Sequence, residues 1–265
     1  VPFNGVAGRR LSESLTGRTL LALLTLPDQD LARTAVMAML SSGVIVGLDG
    51  MPVPVTAWER LAREANVVSG AAQWEERLRR YGADQNTRLV ELKAEGADAS
   101  WLRGPRERMA RADELLAFIQ RLADALNPEQ RPNDWPSLTR WAAELLDLYL
   151  GSPADRSDWP PEEADAHARV GDLLRNLTGL GAIEAAPGLA NFRRAVADGL
   201  DREVNREGRF GIGVFVGGFG TTAGLDLDRV IVVGLAEGIP PPRRRDDPLL
   251  ADAVRRTLKG ALSLQ

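Results

Sequence analysis

The chain contains no cysteine, one histidine (His167) and two lysines (Lys93 and Lys259) among its 265 residues. Without cysteine there are no disulfides, no thiolate nucleophile and no cysteine-ligated metal. A single histidine excludes a multi-histidine metal site and leaves any Ser-His-Asp arrangement dependent on His167 alone. No apolar run approaches the ~20 residues needed to span a bilayer. No signal-peptide pattern opens the sequence, so a cytoplasmic location is expected.

What is present is ordinary for a globular protein. Hydrophobic residues make up 44% and charged residues 26%, which excludes disorder and a collagen-like fibre. The length suits one large domain or two small ones. The net charge is -4, so the chain as a whole does not advertise nucleic-acid binding. Arginine supplies 31 of the 33 basic residues. That bias fits either codon usage or phosphate recognition by the guanidinium fork.

Helical periodicity dominates. Thr16 is placed to cap a helix carrying Leu20, Leu21, Leu23 and Leu24, closed by Pro27. A second helix is expected from Asp28, with Leu31, Ala35, Met39 and Leu40 inward, and Val44 to Pro54 reads as loop. Thr56-Ala57-Trp58-Glu59 has the pattern of a capping box, with Trp58, Leu61, Ala62 and Ala65 on one face. Further stripes run through Trp74 and Leu78, Ala112 to Leu126, Leu138 to Tyr149, Val170 to Leu177, and Phe192, Val196, Leu200 and Val204.

After about residue 209 the pattern changes. Ile212–Val216 and Val230–Val233 are short β-branched runs bounded by glycines and read as buried strands. Residues 1–47 and 209–265 are therefore expected to share one α/β domain, with residues 48–208 inserted as a separate helical bundle. The glycine-rich stretch Gly217–Gly224 lacks the lysine and hydroxyl of a P-loop and leads toward a strand, not a helix.

Other motifs have bland readings. Glu91 and Lys93 have the Glu-x-Lys spacing of metal-dependent nucleases, with Asp84 upstream, but the segment reads as a helix and a surface pair. His167, beside Glu162, Glu163 and Asp165, reads as solvated. Trp58, Trp74 and Trp141 read as core, although tryptophans can stack on bases. Arg243-Arg244-Arg245 is followed by Asp246-Asp247, so its charge is largely cancelled.

The run from Ala223 to Pro240, Ala-Gly-Leu-Asp-Leu-Asp-Arg-Val-Ile-Val-Val-Gly-Leu-Ala-Glu-Gly-Ile-Pro, resembles motif V of UvrD-like superfamily 1 helicases. Asp246-Asp247-Pro248-Leu249-Leu250 with Arg255 and Arg256 is closer to the AddB-type subunit of bacterial helicase–nuclease complexes. The N-terminal stretch, Val1-Pro2-Phe3, Leu11, Leu20–Leu26 and Asp28–Arg33, is similar to the region after motif IV.

The resemblance implies a mostly helical α/β chain: an incomplete RecA-like 2A domain (1–47 and 209–265) plus a helical 2B-like insertion (48–208). It implies a piece of a larger protein engaged in DNA double-strand-break repair and recombination. Such a piece would act through DNA, mainly single-stranded, or a helicase–nuclease partner subunit. Walker motifs and a nuclease domain are not found in the sequence, so no catalytic, metal or cofactor residues are assigned. ATP and Mg would belong to the parent complex. The motif V-like residues are Ala223, Gly224, Leu225, Asp226, Glu237 and Gly238. DNA contacts would fall to Gly220, Thr221, Thr222, Arg229, Arg243, Arg244 and Arg245. Active relatives carry a histidine and a Lys/Arg in motif V. The matching positions here are Gly220 and Ala223, as expected of a degenerate motor. The alternative is part of an active helicase whose ATPase motifs lie outside this sequence.

Overall fold

The computed structural model describes residues 3–5, 9–202, 204–205, 213–218 and 224–233. Among these, helices predominate: α1 (Leu15–Thr25), α2 (Arg33–Ser41), α3 (Val55–Glu64), α4 (Ala71–Ala94), α5 (Ala99–Ala125), α6 (Trp135–Leu150), α7 (Pro161–Leu177) and α8 (Gly188–Arg202). The strands are short: β1 (Phe3–Gly5), β2 (Arg9–Arg10), β3 (Val204–Asn205) and β4 (Val214–Val216). The chain divides into two compact units, Val1–Gly217 and Gly218–Gln265.

The helices form where the apolar stripes predicted them, but their starts were decided by other residues. Ser14, not Thr16, caps α1: its Oγ accepts from the Gly17 N–H at 3.0 Å and donates to the Leu11 carbonyl at 2.7 Å. The second helix begins at Arg33 rather than Asp28. Pro27 lies in a 3-10 turn (Leu26–Gln29), and Asp30 and Leu31 then take left-handed φ values of 48° and 47°. Non-glycine residues resist that conformation. Here they are fixed from outside: the Asp30 carbonyl accepts from the Gly70 N–H at 2.6 Å, and the Leu31 carbonyl accepts from Trp74 Nε1 at 2.8 Å.

The expected capping box is not formed. Pro54 occupies the N-cap of α3 without a side-chain bond, and Thr56 lies inside the helix. The buried stripe of Trp58, Leu61, Ala62 and Ala65 is nevertheless as expected. Helix α3 stops at a left-handed Asn66 (φ 55°), with Val67 N–H donating to the Ala62 carbonyl and Asn66 N–H to the Arg63 carbonyl. Gly96 (φ 72°) ends α4 with the same pair of bonds, to Leu92 and Lys93. The chain then turns directly into α5, and the two longest helices form a hairpin.

One apolar core runs through the first unit. It joins Leu20, Leu23 and Leu24 of α1 and Val36, Met39 and Leu40 of α2 to Leu122, Leu146, Val170, Phe192 and Leu200 of the later helices. Helix α2 shares this core with the helices of 48–208. Within it Trp58, Phe118 and Tyr149 pack in sequence, the first pair tilted and the second edge-on, with ring centroids 5.2 and 5.6 Å apart.

The strands bring the two ends of this unit together. β1 pairs with β4 in parallel, Phe3 to Val214, Asn4 to Phe215 and Gly5 to Val216. β2 pairs antiparallel with β3, so Val204, expected on the last helix, instead forms a ladder pair with Arg10. Ser12 Oγ adds a 2.6 Å hydrogen bond to Asp201 at the end of α8. Val214 and Val216 are exposed, where burial was expected, and Ile212 lies outside the described residues.

In the second unit, Val230–Val233 forms no strand, and its side chains are exposed from 41% to 82%. An extended segment becomes a strand only when a neighbour takes its backbone N–H and C=O groups. No described residue does so. Helices carry most of the described residues, and the strands among them form only two two-stranded pairs.

Candidate functional site

Of the motif V-like residues, Gly224, Leu225 and Asp226 are described. Gly224 has φ 84° and nothing within 4 Å of an added Cβ, so glycine serves conformational freedom there, not close packing. Leu225 is half-buried, while Asp226, Asp228 and Arg229 are exposed along one irregular stretch. Two carboxylates within three residues of Arg229 oppose its attraction for a phosphate. Gly220, Thr221, Thr222, Ala223, Glu237, Gly238, Arg243, Arg244 and Arg245 lie outside the described residues.

The nuclease-like spacing is not matched by structure. Asp84, Glu91 and Lys93 all lie on α4, exposed, and Arg88 pairs with Glu91 at 3.2 Å. A helix does not present the strand-borne geometry that chemistry needs. Among the described residues no group of three or more His, Asp or Glu side chains is placed to hold a metal ion. Nor is any helix there long and apolar enough to cross a membrane.

Comparison of the chain with family models, curated proteins and solved structures finds no match. The chemistry must therefore be read from the side chains themselves.

Two polar clusters went unrecognised in the sequence. The first lies where α7 meets the start of α1. Glu163, buried on α7, accepts from the Leu15 N–H at 2.8 Å, satisfying one of the unpaired donors of the first turn of α1. One turn later on α7, His167 Nδ1 lies 3.2 Å from Thr16 Oγ1, and Thr16 is fully buried. The His167 ring packs edge-on against Trp159 at 5.9 Å. The expectation of a solvated histidine is thus corrected: the ring is half-buried because α1 closes over it. Burial, reinforced by nearby Arg156, holds its pKa below the usual value, with Asp147 acting the other way. Glu163 and His167 stand four residues apart, the one sequence signal for a shared helix face.

The second cluster surrounds Arg121. Its guanidinium lies 5.5 Å from the Phe118 ring centroid and 5.2 Å from that of Tyr149, and Nη2 donates to the Val46 carbonyl at 3.2 Å. Arg121 Nε is buried without a hydrogen-bond partner, and the buried Tyr149 hydroxyl makes no well-aligned bond although the Arg121 guanidinium is within its reach. Burial pushes the Tyr149 phenol up, so it stays neutral, with Arg121 beside it acting in the opposite sense. The arrangement ties α5 and α6 to the loop after α2. It offers no nucleophile.

Among the tryptophans, Trp58 and Trp74 are core, and Trp141 packs against it while donating to the Ala125 carbonyl at 2.9 Å. Trp101, near the start of α5, is 69% exposed, the one tryptophan face broadly open to a stacking partner among the described residues.

Proposed function

We propose that this chain is part of a UvrD-like superfamily 1 helicase-related protein. On this reading it belongs to the AddB-type subunit of a helicase–nuclease that processes DNA double-strand breaks. It acts without catalysis, by holding DNA or a partner subunit. Its 2A domain would be RecA-like, with the helices as the 2B-like insertion. The observation that carries the proposal is the parallel pairing of β1 with β4 across eight intervening helices. Parallel strands need a crossover between them and occur chiefly in α/β domains. A crossover of about two hundred residues fits a sheet interrupted by a large insertion. Residues Ala223–Pro240, with the motif V pattern, follow soon after β4.

The chain's acidic balance and the Asp226, Asp228, Asp246 and Asp247 carboxylates predict weak, sequence-independent binding of single strands. The backbone and hydroxyls of Gly217–Ala223, with Arg229 and Arg243–Arg245, would contact phosphate. Fluorescence anisotropy of a labelled oligonucleotide across a salt series tests this. Affinity should fall steeply with salt as counterions are exchanged, and further when Arg243→Ala, Arg244→Ala and Arg245→Ala are combined. Binding indifferent to both would rule out this surface. Absence of binding at low salt would leave the partner-subunit role.

A further inference from the structure

The fold has a polar joint between two core helices, where an imidazole nitrogen meets a buried hydroxyl. Helix α7 grips the first turn of α1 through two side chains on one face. Glu163 takes the Leu15 N–H, and His167 meets the Thr16 hydroxyl. With its proton on Nε2, the neutral imidazole accepts at Nδ1 from that hydroxyl. A second proton makes Nδ1 a donor, so the fully buried hydroxyl must reverse and find another acceptor for its own hydrogen. The new positive charge also stands near the positive end of the α1 dipole.

We propose that His167 is a pH-sensitive latch that fastens the first turn of α1 to α7 when neutral and loosens it when protonated. Arg156, in the loop between α6 and α7, opposes protonation, and Asp147 of α6 favours it. Glu163 and Arg169 lie on α7 itself, Glu13 on the 3-10 turn before α1, and Arg18 on α1. Burial of the ring opposes protonation most, Arg156 adds to it, and together these outweigh Asp147.

The unfolded chain protonates this ring near its ordinary value of about 6.5, and the folded chain only at lower pH. The latch's contribution is therefore complete above about pH 6.5 and is lost as pH falls from there through the folded-state value. Over that interval the unfolding equilibrium constant rises by up to about tenfold per pH unit from this group.

The sequence makes the test direct, because its one histidine yields one imidazole C2–H resonance needing no assignment. The expected titration midpoint in the folded protein lies below 6.5. Amide exchange at Leu15, Thr16 and Gly17, corrected for intrinsic rate, should accelerate through the same interval in the native chain and not in His167→Gln. A midpoint at or above 6.5, or the same acid response in His167→Gln, would overturn the proposal. Should that variant fold poorly, amide exchange in the unaltered protein decides: rates at Leu15, Thr16 and Gly17 that do not follow the histidine midpoint would overturn the proposal.

Discussion

Gly17→Ala should destabilise this protein, although the substitution improves helix propensity. Alanine is favoured over glycine inside a helix by about 1 kcal/mol. At Gly17 in α1, however, an added Cβ would lie 1.9 Å from the Leu11 carbonyl oxygen and 2.8 Å from its carbon. Both are backbone atoms of a fully buried residue, so no rotamer change relieves the overlap. That oxygen also accepts from the Ser14 N–H at 3.1 Å and from Ser14 Oγ at 2.7 Å. Moving it by the required ångström or so disturbs the cap. Overpacking costs about 1–3 kcal/mol, more against backbone, and a lost N-cap costs about 0.5–2. The net expected loss is about 2–4 kcal/mol, or a fall in Tm of roughly 5–12 °C. Gly82→Ala and Gly171→Ala are the controls: at the first helical position nothing lies within 4 Å of an added Cβ, and at the second only the flexible Arg175 guanidinium does, at 3.5 Å. Each should gain about 0.5–1 kcal/mol. Thermal and urea unfolding of the three variants would decide. A Gly17→Ala protein as stable as the controls would refute the close approach of the Leu11 turn to α1.

Trp74→Phe should cost about 2–3 kcal/mol in urea unfolding, because it removes the donor to the Leu31 carbonyl, leaving that buried acceptor unpaired beside two left-handed residues. Tyr149→Phe should be neutral or slightly stabilising by the same measurement, since the buried hydroxyl it deletes makes no well-aligned bond. A large loss there would show that the hydroxyl has a bonded role.

Much of the helical layer was legible because amphipathic stripes report burial directly. Leu115, Ile119 and Leu122, or Val170 and Leu174, recur at helical spacing whatever they pack against. Boundaries were less legible. The sequence offered Thr16 and Thr56 as caps, but Ser14 and the backbone around Pro54 occupied those places, because capping depends on where the preceding chain arrives. The α2 start was hidden for a related reason: Asp30 and Leu31 adopt left-handed geometry only because Gly70 and Trp74, some forty residues on, bond to their carbonyls. The His167 joint was illegible since its partners, Thr16 and Trp159, come from other parts of the chain.

The order of residues alone requires that this chain be mainly helical, that its core lie on those stripes, and that neither cysteine chemistry nor a multi-histidine metal site be open to it. These are consequences of composition and local period. The tertiary structure alone decided which strands exist. Phe3–Gly5 is a strand because Val214–Val216 lies alongside it, whereas the more apolar Val230–Val233 has no described partner and remains irregular. It also decided that a lone histidine on a polar-looking helix should be half-buried, because α1 packs over it. Local pattern sets what a segment can bury; only the arrival of distant neighbours settles its hydrogen bonds and charges.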